Sequence, residues 1–174
     1  MIKQHWFIVL FLILSGICLH AAEATNYSGT WILDESKIES GEQGPRMAAK
    51  KLTITQDQKQ LIIERFISSQ FRGDFTSTDS VTLDGKETVN KSDFGDRKMT
   101  ATWSKDNKVL TIKSVMDMNR NGQSFQINST EIWTLTQDGK VLQIDQTRVS
   151  PRGEGKNVLY YNIEKKSKDK KTEN

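Results

Sequence analysis

Cysteine and histidine are the residues this 174-residue chain nearly lacks: Cys18, His5 and His20 are the only ones. All three lie in a segment laid out as a secretory signal peptide, residues 1–24. It has Lys3 in a short basic start, an apolar run from Trp6 to Leu14, and Ala22-Glu23-Ala24 as a small-x-small cleavage site. A mature chain beginning at Thr25 then has no thiol and no imidazole. This excludes disulfides, a thiol nucleophile, a Cys-based zinc site, a Ser-His relay and an imidazole metal ligand. Catalysis would fall to carboxylates, lysine, tyrosine or hydroxyls, and no carboxylate pair is singled out by its spacing. Gly-rich phosphate loops, calcium-loop motifs and zinc spacings are also missing. The reading is a non-enzyme with no catalytic residue, cofactor or metal.

Long apolar runs are missing too. Trp6 to Leu14 is shorter than the roughly 20 residues a transmembrane helix needs, and no later stretch approaches that length. The expected localisation is periplasmic or secreted. Leu14-Ser15-Gly16-Ile17-Cys18 is near a lipobox, but Ile17 stands where a small residue is wanted, so cleavage near Ala24 is favoured over acylation of Cys18. Charge of one sign is absent from the body of the chain. The net +3 equals what Lys165 to Asn174 carries, five lysines against Asp169 and Glu173. That tail has no apolar residue, and residues 166–174 are expected to be disordered. A nearly neutral body has no footprint for nucleic acid. Residues 25–165 are enough for one domain with a real core, expected as a monomer.

Helical periodicity is nearly absent, and period-2 alternation takes its place from Lys50 onward. A unit recurs in which a turn precedes an alternating run: Asp57-Gln58-Lys59-Gln60-Leu61-Ile62-Ile63, Asp106-Asn107-Lys108-Val109-Leu110-Thr111-Ile112 and Asp138-Gly139-Lys140-Val141-Leu142-Gln143-Ile144, with Asp84-Gly85-Lys86 as a truncated copy. Asp-Gly and Asp-Asn supply the positive φ of tight hairpin turns. About ten strands follow: Tyr27–Asp34, Lys50–Thr55, Gln60–Ser68, Thr76–Leu83, Lys86–Asn90, Arg97–Trp103, Lys108–Met118, Gln123–Thr136, Lys140–Val149 and Asn157–Lys165. The longest connection, Glu35 to Ala49, has room for a short helix or flap. A long meander avoids bare edges by closing on itself, so the fold class is all-β, an antiparallel up-and-down barrel of about 8–10 strands.

Each strand of a meander reverses the last, which puts the Asp57, Asp84, Asp106 and Asp138 turns at one end, the floor, and the longer loops at the mouth. Continuing the buried faces upward from the floor aims Leu61, Ile63, Leu110, Ile112, Trp133, Leu142 and Ile144 inward. Nearer the mouth the same faces carry Arg65, Ile67, Ser114, Met116, Ser129, Glu131, Gln146 and Arg148. Trp31, Trp103 and Trp133 fall at the floor as core, and Tyr161 faces in while Tyr160 faces out.

The residues proposed to bind ligand are Arg65, Ser114, Met116, Glu131 and Arg148. Arg65 and Arg148 suit an anionic head, because the guanidinium fork matches carboxylate, phosphate or sulfate. Met116, Met118, Phe125 and Ile67 offer an adaptable apolar wall. The competing account is structural: a Glu131 to Arg148 salt bridge inside the barrel, and the remaining arginines paired with loop carboxylates.

The Ser28-Gly29-Thr30-Trp31-Ile32-Leu33-Asp34 opening, the Leu83-Asp84-Gly85-Lys86 turn, Ala101-Thr102-Trp103-Ser104, the Trp133 to Lys140 hairpin and Ser150-Pro151-Arg152-Gly153 together resemble small exported bacterial proteins classed as lipocalin-like. These are hairpin signatures, and what the resemblance implies is the barrel. The expected function is a binding protein that holds a hydrophobic or amphipathic small molecule. The alternative is a packed barrel whose mouth loops contact a protein partner in the cell envelope.

Overall fold

Alternating burial organises the described residues into eleven antiparallel strands of one sheet. The structure, a computed structural model, describes residues 23–40, 48–69, 73–92, 95–120 and 122–165. Most of the expected signal peptide, including Cys18, and the tail 166–174 lie outside the described residues, as do Arg46 and Arg72. Among the described residues no helix is long and apolar enough to cross a membrane.

The strands are β1 (Gly29–Leu33), β2 (Glu39–Ser40), β3 (Lys51–Gln56), β4 (Gln60–Ser69), β5 (Gly73–Thr82), β6 (Thr88–Asn90), β7 (Arg97–Trp103), β8 (Val109–Arg120), β9 (Gln123–Thr136), β10 (Val141–Ser150) and β11 (Gly153–Ile163). Ten of them match the expected runs. β5 and β11 begin three and four residues earlier, at Gly73 and Gly153 where Thr76 and Asn157 were expected, because the hairpins continue pairing to Ser69↔Gly73 and Ser150↔Gly153. The long connection holds a 3-10 turn at Glu35–Lys37, capped by Asp34, and the two-residue β2, which pairs with β11.

Neighbour order is β5-β4-β3-β1-β11-β10-β9-β8-β7-β6, so the first and last strands are joined and the meander closes into a nearly complete up-and-down barrel. The ladder breaks in mid-sequence, between β5 and β6. Side chains stand in for the missing ladder there. Asn90 accepts from the Ser80 N–H at 2.7 Å and donates to the Ser80 carbonyl at 2.8 Å, and the Thr88 hydroxyl accepts from the Thr82 N–H at 3.2 Å. These bonds satisfy backbone groups that an open edge would otherwise leave bare.

The floor is an aromatic plug. Tyr27 lies just before β1 and crosses the bottom of the barrel instead of extending the strand. Its ring stacks on Trp103 at 6.0 Å and meets Trp133 edge-on at 5.7 Å, and its hydroxyl donates to the Trp133 carbonyl at 2.8 Å. Trp31 Nε1 donates to the Tyr27 carbonyl at 2.9 Å, so the indole is buried with its one donor satisfied. The turn aspartates hold this end in shape. Asp57 accepts from the N–H groups of Lys59 and Gln60 and is pulled below the usual carboxylate range, and Asp84, bonded first by the Lys86 side chain, falls to about 2.

Gly29 shows why the chain needs glycine where β1 starts. Its φ is +147°, and a Cβ built there would meet Ile163 Cδ1 at 2.7 Å. The Ile163 methyl can yield, whereas the backbone cannot. Gly29→Ala is therefore expected to lower unfolding stability by about 1–3 kcal/mol, read from the urea midpoint.

Candidate functional site

Register places the interior residues in rows across β7 to β11. Trp103, Leu110, Trp133, Ile144 and Leu159 form the apolar row above the floor. The next row up runs Ala101, Ile112, Glu131, Gln146 and Asn157; above it come Met99, Ser114, Ser129, Arg148 and Gly155; then Arg97, Met116 and Ile127. On the far wall the inward residues of β4 and β5 are Ile63 and Asp79, then Arg65 and Ser77, then Ile67 and Phe75. Polarity thus begins about two rows above the floor, as the alternation predicts.

The lower polar layer is a closed charge network. Arg65 Nη1 lies 2.7 Å from Asp79 Oδ2 and its Nη2 lies 3.3 Å from Glu131 Oε2; Arg97 Nη1 meets the same Asp79 oxygen at 2.6 Å. Glu131 also accepts from Trp133 Nε1 at 2.9 Å and from Gln146 Nε2 at 3.2 Å. The side chains of Arg65, Asp79 and Glu131 are only 13%, 8% and 14% exposed, so these charges are held by each other instead of by water. Burial opposes the Arg65 charge, but Glu131 and Asp79 outweigh it and hold the guanidinium above its ordinary value. Tyr161 beneath them is driven upward by burial and then by Glu131, and its hydroxyl donates to the Ala49 carbonyl at 3.0 Å.

Arg148 stands outside this network. It shares the inward face of β10 with Leu142, Ile144 and Gln146, yet it is exposed, which shows that solvent reaches the upper interior from the mouth. Its row neighbours are Ser129 and Gly155, both small. Partial burial and then the nearby Arg97 depress its basicity, and no carboxylate pairs with it among the described residues. The expected Glu131 to Arg148 bridge is therefore not formed: Glu131 is taken by Arg65, across the lumen. Met116, 9% exposed, and Ile127 sit one row higher, with Met118 opposite Phe125 at the rim. Ser114 faces Ser129 directly.

All five of the expected residues, Arg65, Ser114, Met116, Glu131 and Arg148, are thus on inward faces, in two tiers. Arg65 and Glu131 belong to the internal network, whereas Ser114, Met116 and Arg148 lie on the inward faces in the rows above it. Asp79 and Arg97 complete the arrangement and are not among those five. The signal was available: counting back from buried Val81 gives Asp79, and from Ala101 and Met99 gives Arg97. Two open depressions lie on these strands among the described residues. One of about 310 Å³ lies at the β8–β9 hairpin and takes in Met118 and Phe125 together with Asp117 and Gln126, and one of about 330 Å³ runs along the outward side of β10 and β11, past Glu39, Asp145, Thr147 and Lys156; neither is lined by Arg148 or Ser114.

No protein-family model matches the chain, and no curated protein matches it. Among solved structures it is similar to the zebrafish ileal bile acid-binding protein crystallised with cholic acid, with a TM-score of 0.41 and 10% identity, covering 79% of this chain and 98% of that one.

Proposed function

We propose that this is an exported, non-enzymatic binding protein of lipocalin-like type that takes an amphipathic small molecule into the upper barrel, anionic head toward Arg148. The observation that carries the reading is Arg148 itself: an inward guanidinium without a carboxylate partner among the described residues, in a layer where every other described interior charge is matched. Counting the interior charges among the described residues gives Arg65, Arg97 and Arg148 against Asp79 and Glu131, one cation in excess. An arriving anion removes that excess and relieves the repulsion between Arg148 and Arg97. Met116, Met118, Phe125 and Ile127 supply a pliable apolar wall toward the rim for the rest of the molecule. Arg65 acts from below as a positioning residue, since its fork is already occupied by two carboxylates.

The test separates binding from folding. Arg148→Ala is expected to weaken dodecanoate binding roughly ten- to hundredfold, the worth of a charge-assisted hydrogen bond. Its unfolding midpoint should stay within about 0.5 kcal/mol of wild type, because Arg148 is exposed and unpaired. Calorimetric titration reads the first and urea unfolding the second. Unchanged dodecanoate affinity, or no uptake by the wild type, would sink the proposal.

A further inference from the structure

The layer around Arg148 is too polar for the body of a plain alkyl chain. Ser114 on β8 and Ser129 on β9 face each other on the inward side, Ser77 lies on the opposite wall, and none of the three hydroxyls has a hydrogen-bond partner among the described residues. In the row just below, the Asn157 Oδ1 is buried and has no donor among the described residues. Arg148 pairs in register with Ser129, and Ser129 with Ser114, so the two serines stand one and two strands from Arg148 along the wall, roughly 5 and 10 Å between backbones.

Resting on the reading of the upper interior around Arg148 as an anion site, we propose that its ligand carries hydrogen-bonding groups, hydroxyl or amide, within a few bonds of the anionic head. Hydroxylated or N-acylated acids fit this description better than simple fatty acids. The physical reason is satisfaction. An alkyl segment laid over Ser114 and Ser129 strips their hydration and returns nothing, whereas a ligand hydroxyl both donates and accepts and replaces the water it displaces. Serine hydroxyls rotate freely, so the pair can serve either role. Arg148 recognises the charge, and the serine level beside it recognises what is attached to the charge.

Calorimetric titration with dodecanoate and with 3-hydroxydodecanoate, on wild type and on Ser114→Ala/Ser129→Ala, tests this directly. The two acids share chain length and charge and differ by one hydroxyl. The wild type is expected to prefer the hydroxy acid about three- to tenfold. The double variant should lose most of that preference while binding dodecanoate at least as well, since its wall has become apolar. Retained dodecanoate binding also certifies that the variant is folded. Equal affinities in the wild type, or a preference that survives loss of both hydroxyls, would overturn the inference and leave the anion site standing. Failure of both acids to bind wild type would remove the anion site and the inference with it.

Discussion

Asp79→Ala is expected to lower unfolding stability by about 3–5 kcal/mol, a large share of what a domain of this size possesses. One Asp79 oxygen receives both Arg65 at 2.7 Å and Arg97 at 2.6 Å, so its loss strands cationic charge inside the barrel. Arg97 is 28% exposed and can turn toward water, which places the cost toward the lower figure. Arg65 cannot, and its remaining partner Glu131 is the more distant, at 3.3 Å. Cancelling the charges together should hurt less than breaking one pair. The triple variant Arg65→Met/Asp79→Leu/Glu131→Gln, in which the new side-chain amide keeps an acceptor for Trp133 Nε1, is expected to be more stable than Asp79→Ala alone. Urea midpoints at neutral pH decide the order. A single variant as stable as wild type would show that the network is not an energetic unit.

Tyr27→Ala comes next in size, at about 3–5 kcal/mol, because it empties the floor beneath Trp133 and removes the ring stacked on Trp103. Tyr27→Phe keeps the ring and loses only the bond to the Trp133 carbonyl, about 1 kcal/mol, but it changes the alkaline limb. Burial pushes the Tyr27 phenol up to about 12, partly opposed by the Leu110 backbone N–H. A raised folded value means the neutral phenol is what folding favours. Its contribution is therefore complete below about pH 10, the unfolded value, and is lost as the pH climbs toward 12. Tyr161 is shifted the same way, by burial first and then by Glu131, and Tyr27→Phe should retain the alkaline loss that belongs to Tyr161 while shedding its own. Unfolding followed between about pH 8 and 12 is expected to show wild type falling more steeply than Tyr27→Phe. Parallel curves would mean that Tyr27 ionises without penalty.

The two tiers also assign different consequences to the arginines. Arg65 holds β4 to β5 and, through Glu131, to β9, so its loss is expected to be read in stability; Arg148 holds nothing in the described structure, so under the proposed function its loss is expected to be read in binding. A single variant class of interior arginine would not behave in these two ways.

The all-β class, the core of ten strands, the floor turns and the inward faces of the five expected residues were legible in the sequence, because they depend on local properties. Alternation has a period of two whatever lies across the barrel, and the positive φ of Asn107 (56°), Asp138 (55°) and Gly85 (79°) is a property of the turn. That is why Arg65, Ser114, Met116, Glu131 and Arg148 could be placed inside from Leu61, Leu110, Trp133 and Leu142. What local order could not supply is distance across the lumen. Glu131 is adjacent to the row of Arg148 along the wall, yet its cationic partner is Arg65 from the far side. That choice depends on where the sheet curls and where its ladder breaks. The seam joining β1 to β11, the gap between β5 and β6 that Asn90 bridges, the entry of Asp79 and Arg97 into the network, and Tyr27 crossing the floor all follow from closing the sheet. Closure brings together residues far apart in sequence, so only the tertiary structure decides which charges cancel and that Arg148 has no carboxylate partner among the described residues.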